Sequence, residues 1–292
     1  GGYTWVSPLR GDDLLAVPFI NNKEGWGVGS NGLIIHTANG GDSWEVQTSG
    51  SVFELAGIRF ASPQNGWIIG TNAAILYTVD GGKSWKPFRS RGMGLGVGVY
   101  GIDFADPSTG WIAGEVAYQG PTILYTSNGG EEWAAQLAPP EVFCNLTAVE
   151  TISPREAWIA GMYGTIIHTA DGGSTWTKQS SGVGNNLVAV CFLDNKNGFT
   201  VGDSGLILAT KDGGETWEER TSGVNVNLRG IVFLNKKDGI IVGDKGTILR
   251  AADGGATWSK MPSGTEANLN AITATPDGSL YAVGQGGIVL KY

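Results

Sequence analysis

Three acidic residues of this sequence carry the chemistry needed to cleave a glycosidic bond: Glu115, Asp203 and Asp244. Acid–base hydrolysis of a glycoside uses two carboxyl groups about 5–9.5 Å apart. The three residues lie in different copies of the repeat described below, and only Asp203 and Asp244 belong to adjacent copies. We therefore assign no catalytic residue, and keep a glycan-binding or glycan-cleaving protein as the alternative to a non-catalytic binding protein.

The two cysteines and two histidines offer nucleophilic or metal chemistry only if they meet in space. Cys144 and Cys191 are offset by six residues in the repeat, about 20 Å along a strand, whereas a disulfide needs Cα atoms within about 7 Å. We predict two unpaired, largely buried thiols. His36 and His168 share one strand position of separate repeats, which favours packing. Other repeats fill that position with Tyr77, Tyr125, Ala209 and Arg250. No metal ion or other cofactor is predicted.

A pattern ending in Gly-Gly-x-x-Trp recurs along the chain, and its six tryptophans lie 41, 48, 43, 41 and 41 residues apart. The fuller pattern, Ser/Thr-x-Asp-x-Gly-x-Thr-Trp, resembles the Asp-box, also called the BNR repeat. One copy runs from Thr169 to Trp176. Two copies depart slightly, since Glu132 replaces Ser/Thr in the third and Ala251 replaces the first Thr in the sixth. Six copies in register indicate a repeat architecture.

The rest of each repeat contains three apolar runs, which with the run after the Asp-box make four short strands. Four antiparallel strands per repeat are typical of a β-propeller blade. When the two chain ends are joined, Trp5 lies one repeat from both Trp258 and Trp44. We predict an all-β seven-bladed β-propeller with four antiparallel strands per blade, closed by the N-terminal strand that completes the last blade. Residues 1–292 form this single domain, with outer strands at Trp5, Trp44, Trp85, Trp133, Trp176, Trp217 and Trp258.

The Asp or Asn of each Asp-box has a structural role in this prediction. It lies in the hairpin between the third and fourth strands, where its side chain accepts hydrogen bonds from nearby backbone N–H groups. The six residues lie on separate blades around the rim and cannot converge on one substrate or one metal ion. They are Asn39, Asp80, Asn128, Asp171, Asp212 and Asp253.

Charge and hydropathy narrow the class of partner. The net charge of −8 argues against nucleic acid, which needs a basic stripe, and against an anionic membrane surface. No apolar run reaches the ~18–20 residues that span a bilayer. The chain begins with Gly1-Gly2-Tyr3 and no Met, which is compatible with removal of an export signal. We expect an extracytoplasmic location in a periplasm, a lumen or at the cell surface.

A binding site is predicted where the repeat is irregular, because function concentrates on the variable loops of a regular scaffold. The third repeat exceeds the period by seven residues, in the loop 89–96 before its first strand and in the loop 115–120 between its second and third strands. Both loops lie at one end of the propeller, with the loop 139–143 nearby. Aromatic, Arg and acidic residues there suit protein or glycan contact, although a tolerated insertion without a role stays an alternative. The candidates are Arg89, Arg91, Met93, Tyr100, Glu115, Tyr118, Gln119, Phe143, Tyr163 and Arg229.

The repeated phrase Gly-Trp-x-Val-Gly-x-x-Gly-x-Ile-x-x-Thr-x-Asp-Gly-Gly-x-Thr-Trp resembles the photosystem II stability/assembly factor family of seven-bladed Asp-box propellers, over essentially the whole chain. The resemblance implies a non-enzymatic assembly factor that binds a newly made subunit of a membrane complex through a basic, Arg-rich patch. That patch maps at most onto Arg89 and Arg91. Similar propellers occur in bacteria without photosynthesis.

Two enzyme classes use similar repeats. Sialidases have six blades and an Arg-Ile-Pro motif near the start, which this sequence lacks. Xyloglucan-type endoglucanases place two seven-bladed propellers in tandem with a cleft between them. We therefore predict a monomeric, non-catalytic, protein-binding propeller that serves as an assembly or stability platform for a membrane or envelope complex, without membrane insertion. A glycan-binding or glycoside-hydrolase propeller is the alternative.

Overall fold

A computed structural model of the protein describes residues 4–6, 11–88, 97–116 and 120–292. Its strands form seven separate four-stranded antiparallel sheets. The second strand of each sheet is buried along both faces, as in Gly25–Gly29 and Gly198–Gly202, because neighbouring sheets cover it on both sides. The near-continuous apolar runs in the sequence reflect this two-sided burial.

Each sheet is one blade, and its strands run from the innermost to the outermost in chain order. Blades 1 to 3 consist of β2 Leu14–Ala16, β3 Gly25–Gly29, β4 Ile34–Thr37 and β5 Glu45–Gln47; β6 Leu55–Phe60, β7 Gly66–Gly70, β8 Ile75–Thr78 and β9 Lys86–Pro87; and β10 Val97–Phe104, β11 Gly110–Val116, β12 Gly120–Thr126 and β13 Ala134–Gln136.

Blades 4 to 6 repeat this order. They consist of β14 Leu146–Ser153, β15 Glu156–Gly161, β16 Ile166–Thr169 and β17 Thr177–Gln179; β18 Leu187–Phe192, β19 Gly198–Gly202, β20 Ile207–Thr210 and β21 Glu218–Glu219; and β22 Leu228–Phe233, β23 Gly239–Gly243, β24 Thr247–Ala251 and β25 Ser259–Met261. Short 3-10 turns follow the second strands of blades 1, 5 and 7, at Ser30–Gly32, Asp203–Gly205 and Gln285–Gly287.

The seventh blade joins the two ends of the chain. It contains β26 Leu269–Ala274, β27 Leu280–Gly284, β28 Val289–Lys291 and, as its outer strand, β1 Thr4–Val6. In the pairing of β1 with β28, Trp5 lies opposite Leu290. The predicted seven-bladed fold with an N-terminal closing strand is therefore confirmed.

Two strand boundaries differ from the sequence prediction. In six blades the outer strand begins one residue after the Asp-box Trp, as at Glu45 after Trp44, because the indole ring turns inward and is nearly buried. The first strand of blade 1 ends at Ala16, and beyond it only Phe19 pairs with Gly25. Pro18 lies between them and has no N–H to donate to the sheet.

The turns fall at two ends of the propeller. The turns between first and second strands and the Asp-box hairpins lie at one end, which we call the Asp-box end. The turns between second and third strands and the loops that connect blades lie at the opposite end, which we call the top end. Close backbone packing fixes the top end, since a Cβ at Gly202 would approach the Asn186 carbonyl oxygen to 2.0 Å.

The two thiols are unpaired, in agreement with the prediction, but they differ in burial: Cys144 is buried and Cys191 is partly exposed. Cys191 differs because it faces the central channel between the blades. Within the described ranges, no helix is long and apolar enough to cross a membrane.

Candidate functional site

The Asp-box carboxylates are occupied by their own hairpins. In blade 2, the Thr78 hydroxyl donates to Asp80 Oδ1 at 2.6 Å, and the backbone N–H of Ser84 donates to the same oxygen at 3.0 Å. The Ser84 hydroxyl donates to Oδ2 at 2.5 Å. Hydrogen bonds from Ser84 and then from Thr78 lower the pKa of Asp80 below its usual range. The carboxylate therefore closes the turn and has little capacity left for a ligand.

The same bonding recurs around the Asp-box end. The oxygen of the Asp or Asn accepts from the backbone N–H four residues later in all six hairpins, and the preceding Thr hydroxyl donates to it in five. In blade 5, Thr216 lowers the pKa of Asp212 to about 2. The six acceptors are Asn39, Asp80, Asn128, Asp171, Asp212 and Asp253.

The three carboxylates considered for glycoside hydrolysis each have a partner in their own blade or its connecting loop. Glu115 accepts a 2.9 Å hydrogen bond from the Tyr100 hydroxyl, and Asp203 accepts one of 2.8 Å from the Asn186 side chain. Asp244 forms an ion pair with Arg229. Burial, and then Glu115, raises the pKa of Tyr100 to about 12. Each of the three carboxylates is therefore paired with a different side chain.

Two aromatic side chains at the top end face solvent. Phe143 lies in the loop that enters blade 4 and is 83% exposed; Tyr163 lies in the turn after β15 of the same blade and is 72% exposed. Aromatic side chains of this size carry much of the binding energy in protein interfaces. These two, which we call the blade 4 aromatic pair, have the most exposed aromatic side chains among the described residues.

Buried neighbours hold the blade 4 aromatic pair in place. Val142 and Cys144, on either side of Phe143, are 4% and 8% exposed and belong to one core cluster. The Cys144 thiol donates to the carbonyl oxygen of Met162 at 3.2 Å. Met162 directly precedes Tyr163, so this contact ties the two aromatic segments together. Rigid presentation reduces the entropy lost on binding.

Tyr163 adopts the backbone conformation that its turn has in other blades. Its φ of 54° lies in the left-handed region, as do the φ angles of Asn31, Ser204 and Lys245 at the same turn position. The Tyr163 N–H donates to the side-chain oxygen of Asn186 in the next blade at 3.2 Å. The backbone carbonyl oxygen of Asn186 also accepts a hydrogen bond from the Asp203 N–H at 3.0 Å. The turn is thus held in this conformation by the neighbouring blade.

The central channel contains a charged group that the sequence analysis missed. Its volume is about 780 Å³, and the first strands of all seven blades line it. Arg59 Nε lies 3.1 Å from Asp103 Oδ1, and the Thr151 hydroxyl donates to Asp103 Oδ2 at 2.7 Å. Arg59 lies inside the channel, where 44% of its side-chain surface is exposed to solvent. Burial, and then Asp103, raise the pKa of the neighbouring Glu150 to about 8, against the opposing effect of Arg59.

The signal for this cluster was present in the sequence. Arg59, Asp103, Glu150 and Cys191 occupy the same position of the first strand in blades 2 to 5. A ring of one strand position lines a propeller channel, so aligning the first strands would have placed the four side chains together.

The predicted binding residues fall into three groups. Tyr100, Glu115 and Arg229 lie at the top end, and each is engaged in a contact within its blade. Phe143 and Tyr163 are exposed and come from one blade. The other five predicted residues lie outside the described ranges: Arg89, Arg91, Met93, Tyr118 and Gln119. Among the described residues, no group of three or more His, Cys, Asp or Glu could hold a metal ion.

Comparison with known proteins gives matches for the fold and for a family. The family model described as "Photosynthesis system II assembly factor YCF48" matches residues 86–182 and 178–266. A search of curated proteins found no significant match.

Solved structures of propellers superpose on the whole chain. "YCF48 bound to D1 peptide" aligns with a TM-score of 0.82 at 22% identity, covering 99% of this chain and 94% of that one. YCF48 from Cyanidioschyzon merolae aligns with a TM-score of 0.82 at 20% identity, covering 100% and 98%. The WD40 propeller domain of Doa1 aligns with a TM-score of 0.78 at 13% identity, covering 99% and 96%. At these identities the alignments support the fold.

Proposed function

This chain belongs to the family of the photosystem II assembly factor YCF48, and from that premise we propose that it is a non-catalytic propeller that binds a segment of another protein. The role we assign to it is that of an assembly or stability factor for a membrane or envelope complex. An extracytoplasmic location is part of the same proposal.

The blade 4 aromatic pair is the observation that carries this proposal. Phe143 and Tyr163 expose most of their side chains, although their segments are anchored by buried neighbours and by the Cys144–Met162 contact. Exposed apolar side chains on a rigid base mark protein interaction sites in soluble proteins. The sequence predicts the long loops 89–96 and 115–120 at the same end of the propeller, so the proposed surface includes them as a prediction; residues 89–96 and 117–119 lie outside the described ranges.

A solved structure adds support for a peptide as the partner segment. That structure bears the name "YCF48 bound to D1 peptide" and shares the fold of this chain over almost its full length. We propose that this chain likewise binds an extended peptide segment, through contacts centred on the aromatic pair.

The contacts of the three candidate carboxylates do not favour glycoside hydrolysis. Glu115, Asp203 and Asp244 each form a hydrogen bond or ion pair with a different side chain. A glycosidase instead needs two carboxyl groups that converge on one bond. The contacts of these three side chains support a structural role at the top end.

Photo-cross-linking tests the proposed function. p-Benzoylphenylalanine replaces Phe143 in the protein produced in its own host, and the matched control carries the same residue at Val79, which is 60% exposed in the Asp-box hairpin of blade 2. The proposal predicts one dominant protein adduct from position 143 and none from position 79. An equal pattern of adducts from both positions, or none from 143, would contradict it.

A further inference from the structure

Neighbouring blades are joined by a repeated contact between a glutamine and a tryptophan. In blades 1, 3 and 4 the third residue after the Asp-box Trp is Gln, and its side-chain oxygen accepts from the indole N–H of the next blade. The distances are 3.0 Å for Trp85 to Gln47, 3.1 Å for Trp176 to Gln136 and 3.3 Å for Trp217 to Gln179. Each interface thus provides an acceptor for a buried donor.

Blade 5 replaces this glutamine with Arg220. A guanidinium group has five donors and no acceptor, so it cannot serve the indole of blade 6. Trp258 is 9% exposed, and its Nε1 is buried without a hydrogen-bond partner. Arg220 itself donates from Nη2 to Glu218 at 2.9 Å and from Nη1 to the Glu219 carbonyl at 3.4 Å. Its Nε–H and further N–H groups remain for another acceptor.

An unpaired indole alone does not distinguish this interface. Trp133 in blade 3 also lacks an acceptor, and the residue facing it in blade 2 is Phe88. That interface is filled, since Phe88 packs edge-on against Trp67 with ring centroids 5.0 Å apart. At the blade 5–blade 6 interface the unpaired indole instead coincides with a cation and a cavity.

The cavity, which we call the interblade pocket, lies between blade 5 and the Asp-box hairpin of blade 6. It has a volume of about 480 Å³, and Arg220, Phe199, Ala209 and Gly255 are among its lining residues. This is within the range of small-molecule sites, about 300–1,000 Å³.

Missing side-chain volume explains the pocket. In blades 1 to 4 the second strand carries Trp, and an aromatic ring at the facing position of the third strand lies against it, as His168 stacks on Trp158 with centroids 4.2 Å apart. Blade 5 has Phe199 and Ala209 at these positions, opposite each other in the sheet. Phe199 therefore lacks the third-strand ring that lies against the second-strand Trp in blades 1 to 4.

The backbone of the blade 6 hairpin also lacks its usual acceptor. In the other five hairpins a Thr hydroxyl accepts from the N–H of the second Gly, as Thr210 does from Gly214 at 2.8 Å. In blade 6 the corresponding residue is Ala251, which has no hydroxyl, and the corresponding donor is the N–H of Gly255. Both departures from the repeat at this interface therefore remove an acceptor.

The charges around the pocket favour an anion. Lys211 and Lys236 line it together with Arg220, against Asp194 and Asp253. Asp194 is already engaged, because the Asn197 N–H and side chain donate to it and Lys236 pairs with it at 3.1 Å. Asp253 accepts two hydrogen bonds from Thr257 in its own turn. The Arg220 guanidinium is the charged group of the pocket that still has N–H donors without an acceptor.

We propose that the interblade pocket binds a small aromatic carboxylic acid. The ring occupies the space beside Phe199 that an aromatic side chain fills in blades 1 to 4, and the carboxylate accepts from Arg220. The Trp258 ring lies edge-on to Phe199 with centroids 6.3 Å apart, so its indole N–H reports on a ligand bound beside Phe199. Charge-assisted hydrogen bonds of this type are short and strong. The pocket is separate from the blade 4 aromatic pair, so this inference does not rest on the proposed function.

Titration of the ¹⁵N-labelled protein with benzoate tests the inference through the indole N–H signals in NMR spectra. The Trp258 signal is assigned with the Trp258→Phe variant. We expect benzoate to shift this signal saturably, while benzamide, which has the ring without the charge, and acetate, which has the charge without the ring, do not. Absence of any benzoate-induced shift up to about 10 mM, a concentration that detects even millimolar binding, would overturn the inference.

The Arg220→Gln variant supplies the matched test, because Gln is the residue that blades 1, 3 and 4 use at this position. It should fold, give Trp258 an acceptor without ligand, and weaken benzoate binding about 10- to 100-fold, the factor for one charge-assisted hydrogen bond. Arg155→Gln removes the same charge from an exposed turn at the same end and should leave affinity unchanged. Equal benzoate affinity in Arg220→Gln and wild type would refute the role of Arg220 and with it the proposed site.

Discussion

The two ends of the propeller satisfy their polar groups in different ways. At the Asp-box end each hairpin pairs its own donors and acceptors, as Thr78, Asp80 and Ser84 do in blade 2. At the top end the loops differ in length, and Phe143 and Tyr163 point into solvent. The comparison teaches that residues obeying the repeat build the fold, while departures from it leave groups free to bind a partner.

The same contrast exists between two interfaces of the Asp-box end. Between blades 4 and 5, Gln179 accepts from Trp217. Between blades 5 and 6, Arg220 lines the interblade pocket and the Trp258 indole N–H has no acceptor. Departures from the repeat at Phe199, Ala209 and Arg220 thus accompany the change from a closed contact to a cavity with donors.

The largest expected effect comes from removing a repeat tryptophan. Trp176 is 7% exposed and donates to Gln136, so Trp176→Ala leaves a cavity and removes one of the two indole N–H groups that Gln136 accepts from. We expect a loss of about 3–5 kcal/mol in the free energy of unfolding, measured from urea denaturation. A loss below about 1 kcal/mol would mean that the Asp-box end does not hold the blades as described.

The next effect concerns one hairpin hydroxyl. Thr210 is 2% exposed and accepts from the N–H groups of Asp212 and Gly214. Thr210→Ala should destabilise the protein by about 1–3 kcal/mol, the cost of leaving a buried donor without its acceptor. Urea denaturation of this variant beside Thr216→Ala, an exposed hydroxyl of the same turn, separates the buried contribution; equal losses in both variants would contradict it.

Introducing the missing hairpin hydroxyl in blade 6 should stabilise the folded protein. Ala251→Thr introduces the hydroxyl that the other five hairpins contain, and gives the Gly255 N–H an acceptor. We expect a gain of about 1 kcal/mol in the same denaturation experiment. A loss of stability would show instead that blade 6 has no room for the hydroxyl, and that its hairpin differs in shape and not only in composition.

The regular part of the molecule could be predicted from sequence because it depends on local patterns. Gly-Gly-x-x-Trp spacing and the position of Trp5 determine the blade count and the closing strand. The partners of Tyr100 and Arg229 could not be predicted, because those contacts depend on where a side chain points from a top-end strand. The channel cluster was missed because Arg59, Asp103 and Glu150 lie more than 40 residues apart and meet only when blades 2 to 4 pack side by side.

The channel supplies a pH-dependent prediction. The pKa of Glu150 is raised to about 8, against about 4.3 for an unfolded chain. The folded state therefore holds a proton that the unfolded state releases, so stability falls as pH rises from about 4.3 to 8. Glu150→Gln should remove this fall and exceed the wild type by about 1 kcal/mol at pH 8, since channel water screens the charge.

Urea denaturation at pH 4.5 and at pH 8 checks the channel prediction. Wild type and Glu150→Gln should have similar stability at the lower pH and diverge at the higher one. Glu266→Gln, at an exposed position in the loop entering blade 7, is the control that should follow the wild type at both. Parallel curves for wild type and Glu150→Gln would contradict a raised pKa in the channel.

The smallest expected change in stability is at the top end. Phe143 is 83% exposed, so Phe143→Ala should alter the free energy of unfolding by no more than about 0.5 kcal/mol. The neighbouring Val142→Ala, at a position only 4% exposed, should cost clearly more in the same urea experiment. Equal costs at the two positions would mean that Phe143 is packed against the protein and is not available to a partner.

The affinity of the partner segment for the blade 4 aromatic pair tests the central claim most directly. A fluorescent peptide from the protein cross-linked at position 143 is titrated into wild type, into Phe143→Ala/Tyr163→Ala and into the control Val52→Ala, whose 78% exposed side chain lies in the top-end loop entering blade 2. The account predicts at least about tenfold weaker binding by the double variant, a loss of about 1.4 kcal/mol or more, with the control unchanged. Equal affinities for all three proteins would contradict it.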